Sequence, residues 1–204
     1  QGNDTYTSTS TAGEDVTATG GNNTITTGDG ADIIIGGTGD DNMSGQNGND
    51  TFQFATANFN SSDTVSGGNG DDTIEMTDDA VVVDSDFTNV TSVKTLTASA
   101  ATNLTATLGA AASSAGLDTI TLTDAGAANT VTIGSGFASA LGITLASDDT
   151  AGDTITATNY TKALTVSATD ENLDSNASTI TGGTGSDTLA ITITATNTIL
   201  TSGV

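Results

Sequence analysis

Cysteine and histidine are both missing from this chain of 204 residues. No disulfide framework can form, and no thiolate or imidazole can hold zinc. The same absences remove the Ser-His and Cys-His pairs of nucleophilic hydrolases, so an enzyme of that kind is not expected. Basic residues are almost absent as well. Lys94 and Lys162 face 25 acidic residues, for a net charge of -23. Phosphate contacts need Lys and Arg, so nucleic acid is not expected as a partner. Aromatic residues make up 3 % of the chain, too few to fill a wide core. No apolar run approaches the roughly 18–20 residues that cross a bilayer, so no transmembrane segment is expected, and no signal peptide opens the chain.

What is present is patterned. Hydrophobic residues, 34 % of the chain, are mostly Ile, Val, Leu and Ala set singly between threonines. That suits a thin interior between closely approaching strands. The negative charge opposes compaction unless cations neutralise it. A disordered acidic chain, or a surface that only maintains solubility, would share the charge. Neither would place β-branched residues at a fixed spacing.

From residue 18 a nine-residue register runs through Ala18–Thr26, Thr27–Ile35, Gly36–Ser44 and Gly45–Gln53. Its sixth position holds Asn23, Asp32, Asp41 and Asp50, its eighth Ile25, Ile34, Met43 and Phe52, and its fourth Gly21, Gly30, Gly39 and Gly48. After the insertion Phe54–Ala57 the register resumes as Asn58–Ser66 and Gly67–Glu75, with Asp63 and Asp72 sixth and Val65 and Ile74 eighth. A separate copy spans Gly182–Ala190, with Asp187 sixth.

Each copy has a readable logic. Glycines allow tight turns and expose carbonyls, the hard oxygen donors that calcium prefers. The aspartate ends the turn and supplies a carboxylate. The next few residues form a short strand with one apolar side chain inward, and such a strand needs stacked neighbours. Candidate metal ligands are therefore Asp32, Asp41, Asp50, Asp63, Asp72 and Asp187, with Gly28, Gly30, Gly37, Gly39, Gly48, Gly68, Gly70, Gly183 and Gly185. Asn23, neutral at an aspartate position, is expected to make a weaker or partly occupied site. Asp15, in a half-repeat shifted by one residue, is a further candidate. Asp118 and Asp153 keep fragments of the pattern and read either as vestigial ligands or as turn residues.

Gly36–Ser44, Gly67–Glu75 and Gly182–Ala190 fit G-G-x-G-x-D-x-U-x at every specified position, and the motif resembles the RTX, or haemolysin-type calcium-binding, family. The resemblance implies a calcium-binding β-roll in which two nonapeptides make one coil. Residues 18 apart would then stack, Asp32 beside Asp50 and Asn23 beside Asp41. The insertion would make that step 22, from Asp41 to Asp63 and from Asp50 to Asp72. Carboxylates one strand spacing apart, about 4.8 Å, repel unless a cation lies between them.

After about residue 80 the glycines thin and apolar anchors recur at Leu96, Leu108, Ile120, Val131, Ile143, Ile155, Val166, Ile180 and Ile191. Two such steps make one wider turn of roughly 23–24 residues, with period-two runs reading as strands. Ala110–Ala115 reads as an excursion or short helical turn. Asp78-Asp79 and Asp148-Asp149 read as solvated corners. The Asn103, Asn159 and Asn176 triplets have the form of glycosylation acceptors, but Asn and Thr are so common that chance suffices, and the threonines lack the strict short period of an ice-matching surface. The expected fold is an all-β parallel β-solenoid, a calcium-binding β-roll over 1–79 followed by a wider β-helix over 80–204.

The composition and the mixture of coils resemble bacterial calcium-requiring surface-layer proteins. A stalk segment of a calcium-dependent adhesin and the repeat module of a secreted enzyme are the alternatives. The resemblance implies a secreted chain at the cell surface. Expected partners are copies of the same protein, in an oligomer or lattice through the parent protein, or a cell-surface polysaccharide. Both ends read as cut from something longer.

Overall fold

The computed structural model describes residues 2–99, 102–123, 128–145, 151–169 and 178–192. The expected corner Asp148-Asp149 and the Asn176 triplet lie outside them. Alternation decides the local structure. In Thr24–Thr26, Thr119–Leu122 and Thr130–Ile133, branched or apolar side chains at every second position turn inward and threonines turn out. Such strands have one buried face and bury it by stacking coil upon coil.

Every strand pair among the described residues is parallel, in three ladders. The longest has nine strands in chain order: Asp15–Thr17, Ile33–Ile35, Thr51–Phe54, Thr73–Met76, Thr95–Ala98, Thr119–Leu122, Leu141–Thr144, Leu164–Thr169 and Thr188–Thr192. The N-terminal coils are completed by Thr5–Thr7, Thr24–Thr26, Asn42–Ser44, Thr64–Ser66 and Val90–Thr91. The later coils are completed by Ala80–Val83, Leu104–Leu108, Thr130–Ile133, Thr154–Thr156 and Thr179–Thr181. The chain is a parallel β-solenoid, as expected.

The core is a set of columns. Ile34, Phe52, Ile74, Leu96, Ile120, Ile143 and Val166 lie in register along the long ladder and are buried. Ile25, Met43 and Val65 form the facing column. Anchors of the later coils alternate as expected, Leu96, Ile120, Ile143 and Val166 on the long ladder, Val131, Ile155 and Ile180 on the third. Two registers differ: Leu108 pairs with Ile133, and Val131 with Ala106, while at the far end Leu189 and not Ile191 pairs with Val166. Leu104–Leu108 turns three side chains inward, so the column continues through its middle residue.

The coil widens in steps. Phe54 opens a second inward column with Met76, Ala98 and Leu122. Its ring lies 4.9 Å from that of Phe59, which meets Phe87 at 5.3 Å. The Phe54–Ala57 insertion thus begins as core. Five of the seven aromatics gather where the coils are wide, and Phe137 with Tyr160, 6.0 Å apart, repeats the arrangement further on.

The helix Ala110–Ala115 caps one wide coil and has no side-chain cap of its own. Asp84 of the preceding coil supplies one. It accepts the N–H groups of Gly109 at 2.7 Å, Ala111 at 3.2 Å and Ala112 at 2.9 Å. Asp84→Ala is expected to destabilise the chain by about 2 kcal/mol, from the lost cap and the stranded N–H groups. Denaturant unfolding in calcium checks this, and an unchanged midpoint would contradict it. No helix among the described residues is long and apolar enough to cross a membrane.

Candidate metal centre

The position-six residues form two columns at the entries of the strands. Each carboxylate reaches back to the coil before it, where Oδ1 accepts the backbone N–H of its counterpart. In the column below the long ladder, Asp32 accepts from Glu14 at 2.8 Å, Asp50 from Asp32 at 2.9 Å, and Asp72 from Asp50 at 2.9 Å. In the other, Asp41 accepts from Asn23 at 2.8 Å and Asp63 from Asp41 at 3.0 Å. The steps are 18 residues, and 22 across the insertion. The expected stacking of Asp32 on Asp50 and of Asn23 on Asp41 is therefore found.

In the column below the long ladder the second oxygen of each carboxylate marks the site, while Asp63 Oδ2 of the other column accepts the Asn60 N–H at 3.0 Å. Oδ2 of Asp32, Asp50 and Asp72 is buried and has no hydrogen-bond partner. Such an atom on an ionised group needs a compensating charge or a proton. Around it the chain leaves room. A Cβ on Gly45 would lie 2.1 Å from Asp50 Oδ2, and one on Gly67 2.4 Å from Asp72 Oδ2. Gly36 and Gly182 stand in the same relation to Asp41 and Asp187, at 2.4 and 2.5 Å. The first glycine of the nonapeptide is thus a cradle for its own aspartate.

The glycines at positions two and four let one turn lie on the next. A Cβ on Gly28 would meet Ser10 O at 2.1 Å, on Gly39 the Gly21 O at 2.4 Å, and on Gly68 the Gln46 O at 1.9 Å. Gly30, Gly37 and Gly70 also hold positive φ, where a side chain is strained. Among the described residues no three carboxylates converge on one point. The donor set is instead a carboxylate oxygen in a turn rich in carbonyls, all hard oxygen, which suits calcium.

Burial raises the carboxyls of Asp50, Asp63 and Asp72 above the usual aspartate range, Asp50 to about 6. Backbone N–H groups oppose the shift, and for Asp50 the neighbouring Asp72 and Asp32 charges add to it. A carboxyl with a higher folded than unfolded pKa binds more protons when folded. Its stabilising contribution is complete below about pH 3.8 and is lost as pH rises through about 6. Without calcium, the β-content of residues 24–76 is therefore expected to grow as pH falls from 7 to 4. Circular dichroism in chelator checks this, and a signal independent of pH would contradict it.

The remaining candidates divide. Asp15 lies opposite Ile33 and is exposed, while Glu14 takes the position-six place. The residue 18 before Asp32 is the signal that identifies Glu14. Asp118 is exposed and holds its own neighbour, Thr119 Oγ1, at 2.9 Å. Asp153 is buried and meets Asn129. Asp187 Oδ1 accepts from Leu164 N–H at 3.1 Å, while Oδ2 accepts from Gly183 N–H at 2.8 Å. Its strand is more open than the earlier ones, with Leu189 at 47 % exposure. A Cβ on Gly185 would meet Lys162 O at 2.1 Å. Lys94 follows Asp72 in the column, and its Nζ pairs with Asp71.

A search of the curated proteins and a search of the solved structures found no match. The family profile of the RTX calcium-binding nonapeptide repeat matches residues 17–52, 59–75 and 174–190, in four copies. These segments hold the two columns and the turn at Asp187, so the chain carries RTX calcium-binding nonapeptide repeats there.

Proposed function

We propose that the chain is a structural segment of a bacterial cell-surface layer whose coils close on calcium after export. The orphaned Oδ2 atoms of Asp32, Asp50 and Asp72, stacked coil on coil, carry this reading. Those carboxylates, with Asp41 and Asp63 and glycine carbonyls of the adjoining turns, would hold calcium, which would supply the positive charge that lets buried carboxylates of neighbouring coils coexist. Residues 1–79 form the calcium-responsive segment, and 80–204 the wider one.

In this mechanism the chain's own residues do three things. Position-one glycines leave space for the carboxylate. Position-two and position-four glycines bring turns into contact. Along Asp32, Asp50 and Asp72 the backbone N–H of each coil orients Oδ1 of the next carboxylate and leaves Oδ2 for the ion, whereas Asp63 Oδ2 also accepts the Asn60 N–H at 3.0 Å. In a calcium-poor cytoplasm the acidic turns stay apart, and binding is coupled to coil formation.

Circular dichroism during a calcium titration tests the metal-dependent part. A cooperative rise in β-structure is expected, and full β-structure in excess chelator would sink it. Electron microscopy in calcium tests the assembly: ordered two-dimensional arrays are expected, and a strictly monomeric chain would exclude the surface layer.

A further inference from the structure

We propose that the side-chain amides of Asn23 and Asn129 stand in for calcium ions, so that two junctions of the solenoid close without metal. The inference rests on the calcium reading above and goes further. It separates junctions the ion controls from junctions it does not.

Asn23 occupies the sixth position of its nonapeptide and is buried. Its Oδ1 accepts the Asp4 N–H at 3.0 Å, doing for the coil before it what an aspartate does elsewhere in the column. The other half of the side chain is where it departs from aspartate. Nδ2 lies 2.9 Å from Gly21 O, 3.0 Å from Gly36 O and 3.0 Å from Asp41 Oδ1. Two glycine carbonyls and a carboxylate are the donors that the calcium reading assigns to the other junctions. Here they converge on an N–H₂ group, whose two hydrogens carry fixed partial positive charge. The aspartates of the facing column have no such group, and their Oδ2 atoms are orphaned.

A related pair lies in the wider coils, where the amide meets a carboxylate. Asn129 is buried, and its Oδ1 accepts the Leu104 N–H at 2.8 Å. Its backbone N–H and its Nδ2 both donate to Oδ1 of Asp153 at 3.0 Å. Asp153 is buried too. An asparagine stacked on an aspartate of the next coil thus appears twice, in segments with different coil lengths, 18 residues apart in the first and 24 in the second. Asparagine at these places is a permanent clamp rather than a weakened ligand. Calcium control is then absent at these two junctions and concentrated in the block from Asp32 to Asp72, with the separate repeat at Asp187 beyond them, and the wider coils offer that block a surface already formed.

Hydrogen exchange of the whole chain, in chelator and in calcium, tests this. In the unsubstituted protein the amides of 104–108 and 130–133 are expected to exchange at the same rate, within about twofold, under both conditions. Asn129→Asp places two bare carboxylates together, so exchange there should be about tenfold faster in chelator and recover in calcium. Asn129→Ala should be fast under both conditions, having neither clamp nor ligand. Asn23→Asp should add one calcium ion in equilibrium dialysis. Three results overturn the proposal: free exchange of the wider coils in chelator in the unsubstituted protein, an Asn129→Asp variant as protected in chelator as its parent, or one that calcium fails to rescue. Protection of residues 33–54 in chelator would instead sink the calcium reading, and it is read from different amides.

Discussion

Asp50→Ala should raise the calcium concentration for half-maximal folding by one to two decades. Asp50 is the middle member of its column, with 0 % exposure. Three functions leave with its carboxylate. Oδ1 no longer accepts the Asp32 N–H, now buried without a partner. Oδ2 no longer faces the ion. The cradle left by Gly45 becomes a void. A hydrogen bond to a charged group contributes about 1.5–3 kcal/mol, and each 1.4 kcal/mol is about a factor of ten in binding. Asp50→Asn separates these terms, because the amide oxygen keeps the bond to Asp32 while the negative charge is lost. Its amide would also set an asparagine on Asp72 of the next coil, as Asn23 sits on Asp41, so the midpoint should lie at or below that of the parent. Asp15→Ala, at an exposed position outside the column, should leave the midpoint unchanged. Equal effects at positions 15 and 50 would show that total charge, not the column, governs the response.

Gly48→Ala should prevent the calcium block from folding at any calcium concentration. Gly30, Gly48 and Gly70 lie one above another at position four, all at positive φ. A Cβ on Gly48 would stand 1.6 Å from Gly30 O, and one on Gly70 1.7 Å from Gly48 O. The Gly48 N–H donates to Asn69 O at 2.9 Å, which ties the turn to its other neighbour. A methyl group can be placed there only by moving whole coils apart. Strain at such a backbone is of order 1–3 kcal/mol, and the collision with backbone takes the total to about 4 kcal/mol or more. Gly142→Ala is the control. It sits in the long ladder, where a Cβ would find its nearest neighbour, Asp118 O, at 3.8 Å. That change should be neutral or stabilise by about 0.5–1 kcal/mol. Thermal unfolding of both variants decides, and a folded Gly48→Ala chain would contradict the close stacking of the turns.

What the sequence made legible follows from where the repeat period equals a structural period. Two nonapeptides make one coil, so the spacing from Asp32 to Asp50 translates directly into a backbone N–H held by the next carboxylate. The insertion at Phe54 changed both columns by the same amount, which kept the register readable through it. The alternation of Leu96, Ile120 and Ile143 with Val131 and Ile155 was visible because each wide coil presents two strands. Corners were not visible. Phe59 and Phe87 meet across a bend whose shape depends on packing between segments far apart in sequence, and no local spacing announces it. Ala80–Val83 begins a new ladder for the same reason. Asn23 was legible only as a position. Its neutrality suggests a weaker or partly occupied site, and the three oxygen contacts of its amide form only in the folded coils. Chemistry at that position depends on what the opposite coil offers, Gly36 O and Asp41 above all.

Ions between coils are the claim on which the rest stands. A crystal grown in calcium and measured for anomalous scattering would locate them. Peaks are expected against Oδ2 of Asp32, Asp50 and Asp72, at the 2.3–2.6 Å or so of calcium–oxygen bonds. Carboxylates in the same folded coils that contact only water, with no anomalous signal between the turns, would contradict the account.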